Sequence, residues 1–223
     1  AASDVYKRQN ESIVVNDRME TSVPDIYAAG DAVQVKHYVT GNDALISLAG
    51  PANKQGRIIA DNICGGDSRY LGSQGSSVIK VFDMTAATTG INETNAKKSG
   101  LEVDTVILSP MSHAGYYPGG KVMTMKVVFE KESYRLLGAQ IIGYEGVDKR
   151  IDVLATAIHA GLNATQLKDL DLAYAPPYSS AKDPVNMAGF MIDNIAKGTL
   201  KQWHLEDMDK ISKDKSAVLL LSL

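Results

Sequence analysis

The sequence predicts an α+β fold built on an antiparallel sheet. Three observations lead there. Strand-like and helix-like stretches follow one another without the strict βαβ alternation of a parallel sheet. Two β-rich runs, 121–130 and 136–143, flank a short polar connection at 131–135, as in a hairpin. The composition, 44% hydrophobic and 22% charged over 223 residues, is that of an ordinary globular chain with one large domain or two small ones.

Each element has a local reason. Residues 1–9 carry no apolar periodicity, no cap and no starting Met, and read as an assembly scar. Residues 11–16 (ESIVVN) form a short β-branched strand. Residues 21–24 turn, and Pro24 bars a helix. Residues 26–29 form a second short strand that Gly30-Asp31 ends. A helix runs from 45 to 65, most clearly from Pro51, with Ile58, Ile59 and Ile63 sharing a face and Gly65-Gly66 stopping it. Residues 66–77, rich in Gly and Ser, read as a linker or domain boundary.

Beyond this boundary, 78–84 is a strand and 92–99 a helix ended by Gly100. A strand at 103–108 precedes the hairpin. Residues 148–159 form an amphipathic helix with Ile151, Leu154, Ala155 and Ile158 at helical spacing, and Gly161 caps it. A short helix follows at 165–170, N-capped by a Thr or Asn. The last helix, 183–196, has Pro184 in its first turn and Gly198 just past its end. The chain then stops in the apolar run 217–221, a buried strand without neighbours. Both ends therefore read as cut.

Charge and cysteine count narrow the function. A net charge of −3 leaves no basic surplus for phosphates, so nucleic acid is not an expected partner. The single cysteine allows no intrachain disulfide, which predicts a reducing, cytoplasmic setting. No apolar run reaches the length of a membrane helix, and no signal-peptide pattern opens the chain. His37, His113, His159 and His204 lack metal-ligand spacing, so no metal site is expected. Cys64 sits near a helix C-terminus, a place that does not activate a thiol, and reads as structural.

The most specific string is Thr21-Ser22-Val23-Pro24-Asp25-Ile26-Tyr27-Ala28-Ala29-Gly30-Asp31-Ala32. A strand ending in glycine lets the backbone approach a ligand, and a following carboxylate can accept hydrogen bonds from sugar-like hydroxyls. A bare Gly-Asp pair would equally suit an ordinary turn. The full string resembles the second FAD-binding motif of the pyridine nucleotide-disulfide oxidoreductases. That resemblance gives Gly30, Asp31 and Ala32 a cofactor role, with Asp31 on the ribityl chain. Residues 47–57 (SLAGPANKQGR) resemble the family helix whose N-terminal amides face the flavin's pyrimidine edge, through Leu48 and Ala49. By themselves they are also compatible with an ordinary amphipathic helix.

Residues 78–198 resemble the family's C-terminal dimerisation domain. Within it, 173–186 (AYAPPYSSAKDPVN) resembles the single-cysteine subgroup holding coenzyme A-disulfide reductases and NADH oxidases or peroxidases. In the coenzyme A-disulfide reductases, a tyrosine of the His113–Gly119 loop and the first tyrosine of Tyr-Ala-Pro-Pro-Tyr reach the partner subunit's active site. Those positions are Tyr116 and Tyr174. A protonated phenol there can donate to a departing thiolate. Tyr174 also falls beside the cofactor, while Asn53, Tyr178 and Lys182 become coenzyme A contacts. The plain alternatives are interface packing for the tyrosines and a solvated lysine for Lys182. Residues 199–223 resemble the entry to a rhodanese domain.

The resemblance thus implies the C-terminal part of a Rossmann-like FAD-binding domain (10–70), an antiparallel α+β dimerisation domain (77–198) and the start of a rhodanese-like domain (199–223). It implies FAD and NAD(P)H as cofactors, a homodimer, and coenzyme A disulfide reduced through a cysteine mixed disulfide. The redox cysteine would lie N-terminal to these residues. The alternatives are an NADH oxidase or peroxidase, or a dimerisation module without catalysis.

Overall fold

The computed structural model describes residues 12–211 and 213. The expected scar at 1–9 and strand at 217–221 lie outside them. Two sheets organise the rest.

The first sheet has the order β1 (Ile13–Val14), β2 (Val33–Lys36), β3 (Asp43–Ala44). β1 and β2 run parallel, β2 and β3 antiparallel. Helix α1 (Ala49–Ile63) covers it over a small core of Met19, Val33 and Val35. The inward line of α1 is Gln55, Ile58, Ile59 and Asn62, an i, i+3, i+4, i+7 stripe with a polar residue at each end. Ile63, expected on that face, is 65% exposed. Asn62 takes the inward place because its amide donates to the carbonyls of Arg18 and Ser68 and accepts from the Ser68 amide.

One strand assignment and one boundary assignment change here. Residues 26–29 form no strand. Tyr27 makes one bridge to Glu20, the Thr21 amide donates to the Ile26 carbonyl at 2.9 Å, and the Ala28 amide donates to Met19. The segment spends its backbone on a short reversal instead of a sheet. The strand is β2, whose Val-Gln-Val-Lys alternation buries both valines. Residues 66–77, read as a linker or domain boundary, are pinned: Tyr70 donates to Asp17, Ser73 to Lys36 and Gly90 to Gln74 through the backbone.

The second sheet has the order β4-β5-β8-β7-β6, antiparallel throughout. β4 (Ser77–Val81) and β5 (Met84–Gly90) replace the single strand expected at 78–84. The chain reverses at Phe82-Asp83, with Phe82 at φ 53° and 94% exposed. The remaining strands are β6 (Val103–Leu108), β7 (Met123–Glu130) and β8 (Leu136–Gly143). One face carries α3 (Val147–His159) and α4 (Pro184–Ala196) over a core that includes Val106, Met125, Leu137, Leu154 and Ile192. The short α2 (Glu93–Lys98) is N-capped by Asn92. The expected helix at 165–170 is a 3-10 turn, Ala164–Asp169, held by a capping box between Asn163 and Gln166. Asn163, not Thr165, is the cap. On the other face, Ile79, Thr88, Thr124, Lys126, Gln140 and Ile142 line an open depression.

After α4, the chain returns along β6. Gln202 donates to the Asp104 carboxylate at 3.0 Å, and His204 Nε2 lies 2.8 Å from the same oxygen.

Candidate functional site

The predicted residues gather at two places, one on each sheet unit. At the first, Gly30–Ala32 is a 3-10 turn between the reversal and β2. Asp31 was expected at the carboxyl end of a strand and instead leads into one. Gly30 takes φ +81°, which L side chains adopt rarely. Its amide donates to the buried Gln55 Oε1 at 2.8 Å, which locks the turn to α1. Asp31 and Ala32 are exposed. Leu48 is the extended N-cap of α1, no side chain among the described residues caps it, and Ala49 is exposed. A carboxylate and an open helix N-terminus therefore sit on adjoining, hydrogen-bonded turns. Asn53, expected on substrate, turns back and donates to the Ala49 carbonyl at 2.9 Å.

At the second place, two arms meet. One is the loop after β6. Its root is not at the surface: Ser112, His113 and Ala114 are buried, while Tyr116 projects outward. The other is the strap 173–183 before α4. The Tyr116 and Tyr174 hydroxyls meet at 2.7 Å. That hydrogen bond, more than partial burial, raises the Tyr174 phenol above the ordinary tyrosine range. Such a phenol holds its proton throughout the neutral range. The arms also join through the backbone, the Ala114 amide donating to the Ser179 carbonyl at 2.9 Å. Tyr178 and Lys182 lie exposed on the strap.

A residue absent from the sequence-based set organises this place. Arg150 on α3 is 1% exposed and Asp183 3%. Arg150 Nη2 donates to Asp183 Oδ2 at 2.9 Å, to the Ser112 carbonyl at 3.0 Å and to Ser179 Oγ at 3.1 Å. Asp183 also N-caps α4 by accepting from the Val185 amide. The sequence carried a cue: Arg150 falls on the apolar stripe with Val147, Ile151, Leu154 and Ile158, where a charge has no place without a buried partner.

Cys64 is the exposed C-cap of α1. No cluster of three His, Cys, Asp or Glu suited to a metal occurs among the described residues, and no described helix is long and apolar enough to cross a membrane.

Known proteins resemble this chain over most of its length. Residues 76–184 match the dimerisation domain of the pyridine nucleotide-disulphide oxidoreductases. The chain is 36% identical over 190 residues to a coenzyme A disulfide reductase of Staphylococcus epidermidis, covering 85% of this chain and 43% of that protein. It is 38% identical over 174 residues to a CoA-dependent NAD(P)H sulfur oxidoreductase of Pyrococcus abyssi, covering 78% and 39%. The chain thus spans about two fifths of these curated relatives. Among solved structures, reduced Bacillus anthracis CoADR-RHD superposes with a TM-score of 0.91 at 48% identity, over 95% of this chain and 38% of that one. A NAD-dependent persulfide reductase from A. fulgidus gives 0.87 at 42%, over 91% and 38%. The matched residues hold the five-stranded sheet with α2 and α3 and end at the first residue of α4, and the chain belongs to the pyridine nucleotide-disulphide oxidoreductases.

Proposed function

We propose that this chain supplies the flavin edge, the dimer contact and the acceptor-side tyrosines of an FAD-dependent NAD(P)H oxidoreductase that reduces coenzyme A disulfide. The observation that carries the reading is the pair of phenols, Tyr116 and Tyr174, held at 2.7 Å on two projecting arms. A preorganised donor pair of this kind suits a leaving thiolate: one phenol donates to the sulfur while the other holds its orientation. The raised Tyr174 phenol keeps that donor in its protonated form. The exchange itself proceeds through a mixed disulfide with a redox cysteine. The family resemblance assigns that cysteine to a region N-terminal to these residues, and Cys64 takes no part.

FAD, when bound, supplies electron transfer from NAD(P)H to the redox disulfide. The residues present suit it. The turn at Gly30 tolerates only glycine comfortably, Asp31 offers an acceptor for ribityl hydroxyls, and the open N-terminus of α1 favours the negative edge of a reduced isoalloxazine. Residues 10–70 fit the FAD-binding unit, 77–198 the dimerisation domain and 199–223 the start of a rhodanese-like domain. A homodimer accounts for the open sheet face and the exposed Ile79, Phe82 and Ile142. Tyr178 and Lys182, exposed on the strap that carries Tyr174, suit the anionic coenzyme A portion.

The test is complementation. A variant of the intact enzyme lacking the redox cysteine is mixed with a Tyr116→Phe/Tyr174→Phe variant, and heterodimers are isolated. Restored reduction of coenzyme A disulfide is expected, since one site of each heterodimer is whole. Heterodimers without activity would refute the assignment. A persulfide acceptor is the second reading, favoured by the likeness to the A. fulgidus persulfide reductase, and competition between the two acceptors separates them.

A further inference from the structure

We propose that Arg150 is a positioning residue that clamps the roots of both tyrosine arms, so that the Tyr116 and Tyr174 hydroxyls meet. The proposal rests on the reading of those tyrosines given above and extends it to a group that touches neither.

Three segments far apart in sequence converge on one guanidinium. Ser112 lies four residues before Tyr116, and its carbonyl accepts from Nη2 at 3.0 Å. Tyr178 lies four residues after Tyr174, and its carbonyl sits 3.5 Å from the same nitrogen. Ser179 Oγ and Asp183 Oδ2 complete the strap side at 3.1 and 2.9 Å, and Ser179 itself donates to Asp183 at 2.7 Å. On its own helix, Nη1 donates to the Gly146 carbonyl at 3.2 Å. The rigid guanidinium plane lets Nη2 face the loop and the strap while Nη1 turns back to the helix, a spread that lysine's compact ammonium does not cover.

Two further features show that space is kept for this group. Gly146 is left-handed at φ +69°, and a Cβ there would overlap Arg150 Nη1. Arg150 Nε has no partner among the described residues, so the cluster accepts an unsatisfied donor in order to place the Nη atoms. Buried ion pairs are weak sources of stability compared with apolar packing and are better attested as devices that specify one arrangement. Here the arrangement specified is the spacing of the arms.

The test is a cycle on the intact enzyme. Arg150→Lys is expected to lower kcat for coenzyme A disulfide about ten- to a hundred-fold, the scale of a displaced catalytic group, with KM for NAD(P)H unchanged. In the Tyr116→Phe/Tyr174→Phe background the same change should cost less than about two-fold more, because nothing remains to be positioned. An equal loss in both backgrounds, or no loss in the native one together with an unchanged Tyr174 titration, overturns the proposal. If Arg150→Lys does not fold, Ser179→Ala, which removes one hydroxyl from the clamp, goes through the same cycle with a several-fold effect expected. A second readout needs no substrate: NMR of 13Cζ-labelled tyrosine follows the Tyr174 titration. A Tyr174 that titrates unchanged in the clamp variants overturns the proposal. A Tyr174 that reverts towards an ordinary phenol while kcat stays constant supports the clamp and instead removes the proposed role of the tyrosines.

Discussion

Asp183→Asn isolates the buried charge at the strap. The side chain is 3% exposed, and one oxygen, Oδ2, takes both the Arg150 guanidinium and the Ser179 hydroxyl, while Oδ1 caps α4. Asparagine keeps the size and can keep the cap, but it removes the only carboxylate paired with Arg150 among the described residues. What remains is a guanidinium 1% exposed, with the Lys149 ammonium 3.9 Å from the position the carboxylate held. Breaking a buried pair by removing one partner costs about 3–5 kcal/mol, most of it the uncompensated charge. Asp183→Ala should cost about 1 kcal/mol more through the lost cap. Removing both charges in Arg150→Met/Asp183→Asn should recover most of the loss, to within about 2 kcal/mol of the native protein, because no buried charge is left. Urea unfolding at pH 7, followed by circular dichroism at equal slopes, reads these three variants and Arg150→Met alone. An Asp183→Asn protein within about 1 kcal/mol of native, or a double variant whose loss is the sum of the singles, would refute the reasoning.

Three further outcomes follow from other parts of the molecule. Hydrogen bonds from Lys126 first and Lys97 second lower the Glu93 carboxyl from 4.5 to about 2. The folded value lies below the unfolded one, so this group's stabilisation is present above about pH 4.5 and is lost as pH falls towards 2. With Glu93 25% exposed, it should amount to about 1–2 kcal/mol after screening, and Glu93→Gln should flatten acid denaturation across that window. Gly189 on α4 lies against the backbone of Leu167 and Lys168, where a Cβ would overlap main-chain atoms. Gly189→Ala should therefore lower the melting temperature, with overpacking of about 1–3 kcal/mol exceeding the roughly 1 kcal/mol gain in helix propensity. Asp31→Ala in the intact enzyme should weaken FAD retention by about 1.5–3 kcal/mol, and a purified variant as yellow as the native protein would argue against that role.

Where the apolar pattern was dense, the chain could be read directly. β6 falls at 103–108 as expected, β8 at 136–143, and α3 and α4 within a residue of their expected starts. Each buries a continuous side chain stripe, so periodicity and packing agree. The errors cluster where packing comes from small or polar residues. β5 reads Met-Thr-Ala-Ala-Thr-Thr-Gly and carries little hydrophobic contrast, yet it is an interior strand between β4 and β8. Its backbone ladder, not its side chains, places it. Residues 26–29 have strand-like composition but find their partners within nine residues, in a reversal that the pattern alone does not reveal.

The candidate site divides along the same line. Gly30, Asp31, Tyr116 and Tyr174 could be named because each belongs to a string whose residue types are unusual together. Their arrangement could not be. Tyr116 and Tyr174 are 58 positions apart, and the helix residue that ties their arms together, Arg150, resembles in sequence any other charge on an amphipathic helix. Helical phase is what separates it: counted from Val147, Ile151 and Leu154, position 150 faces inward, and a charge facing inward must meet an opposite charge and several acceptors. The acid it meets is Asp183, which caps α4 just before Pro184 in its first turn. Buried polar pairing thus links elements that hydrophobic periodicity treats separately, and in this chain it joins the dimerisation domain's core to the two phenols that project from it.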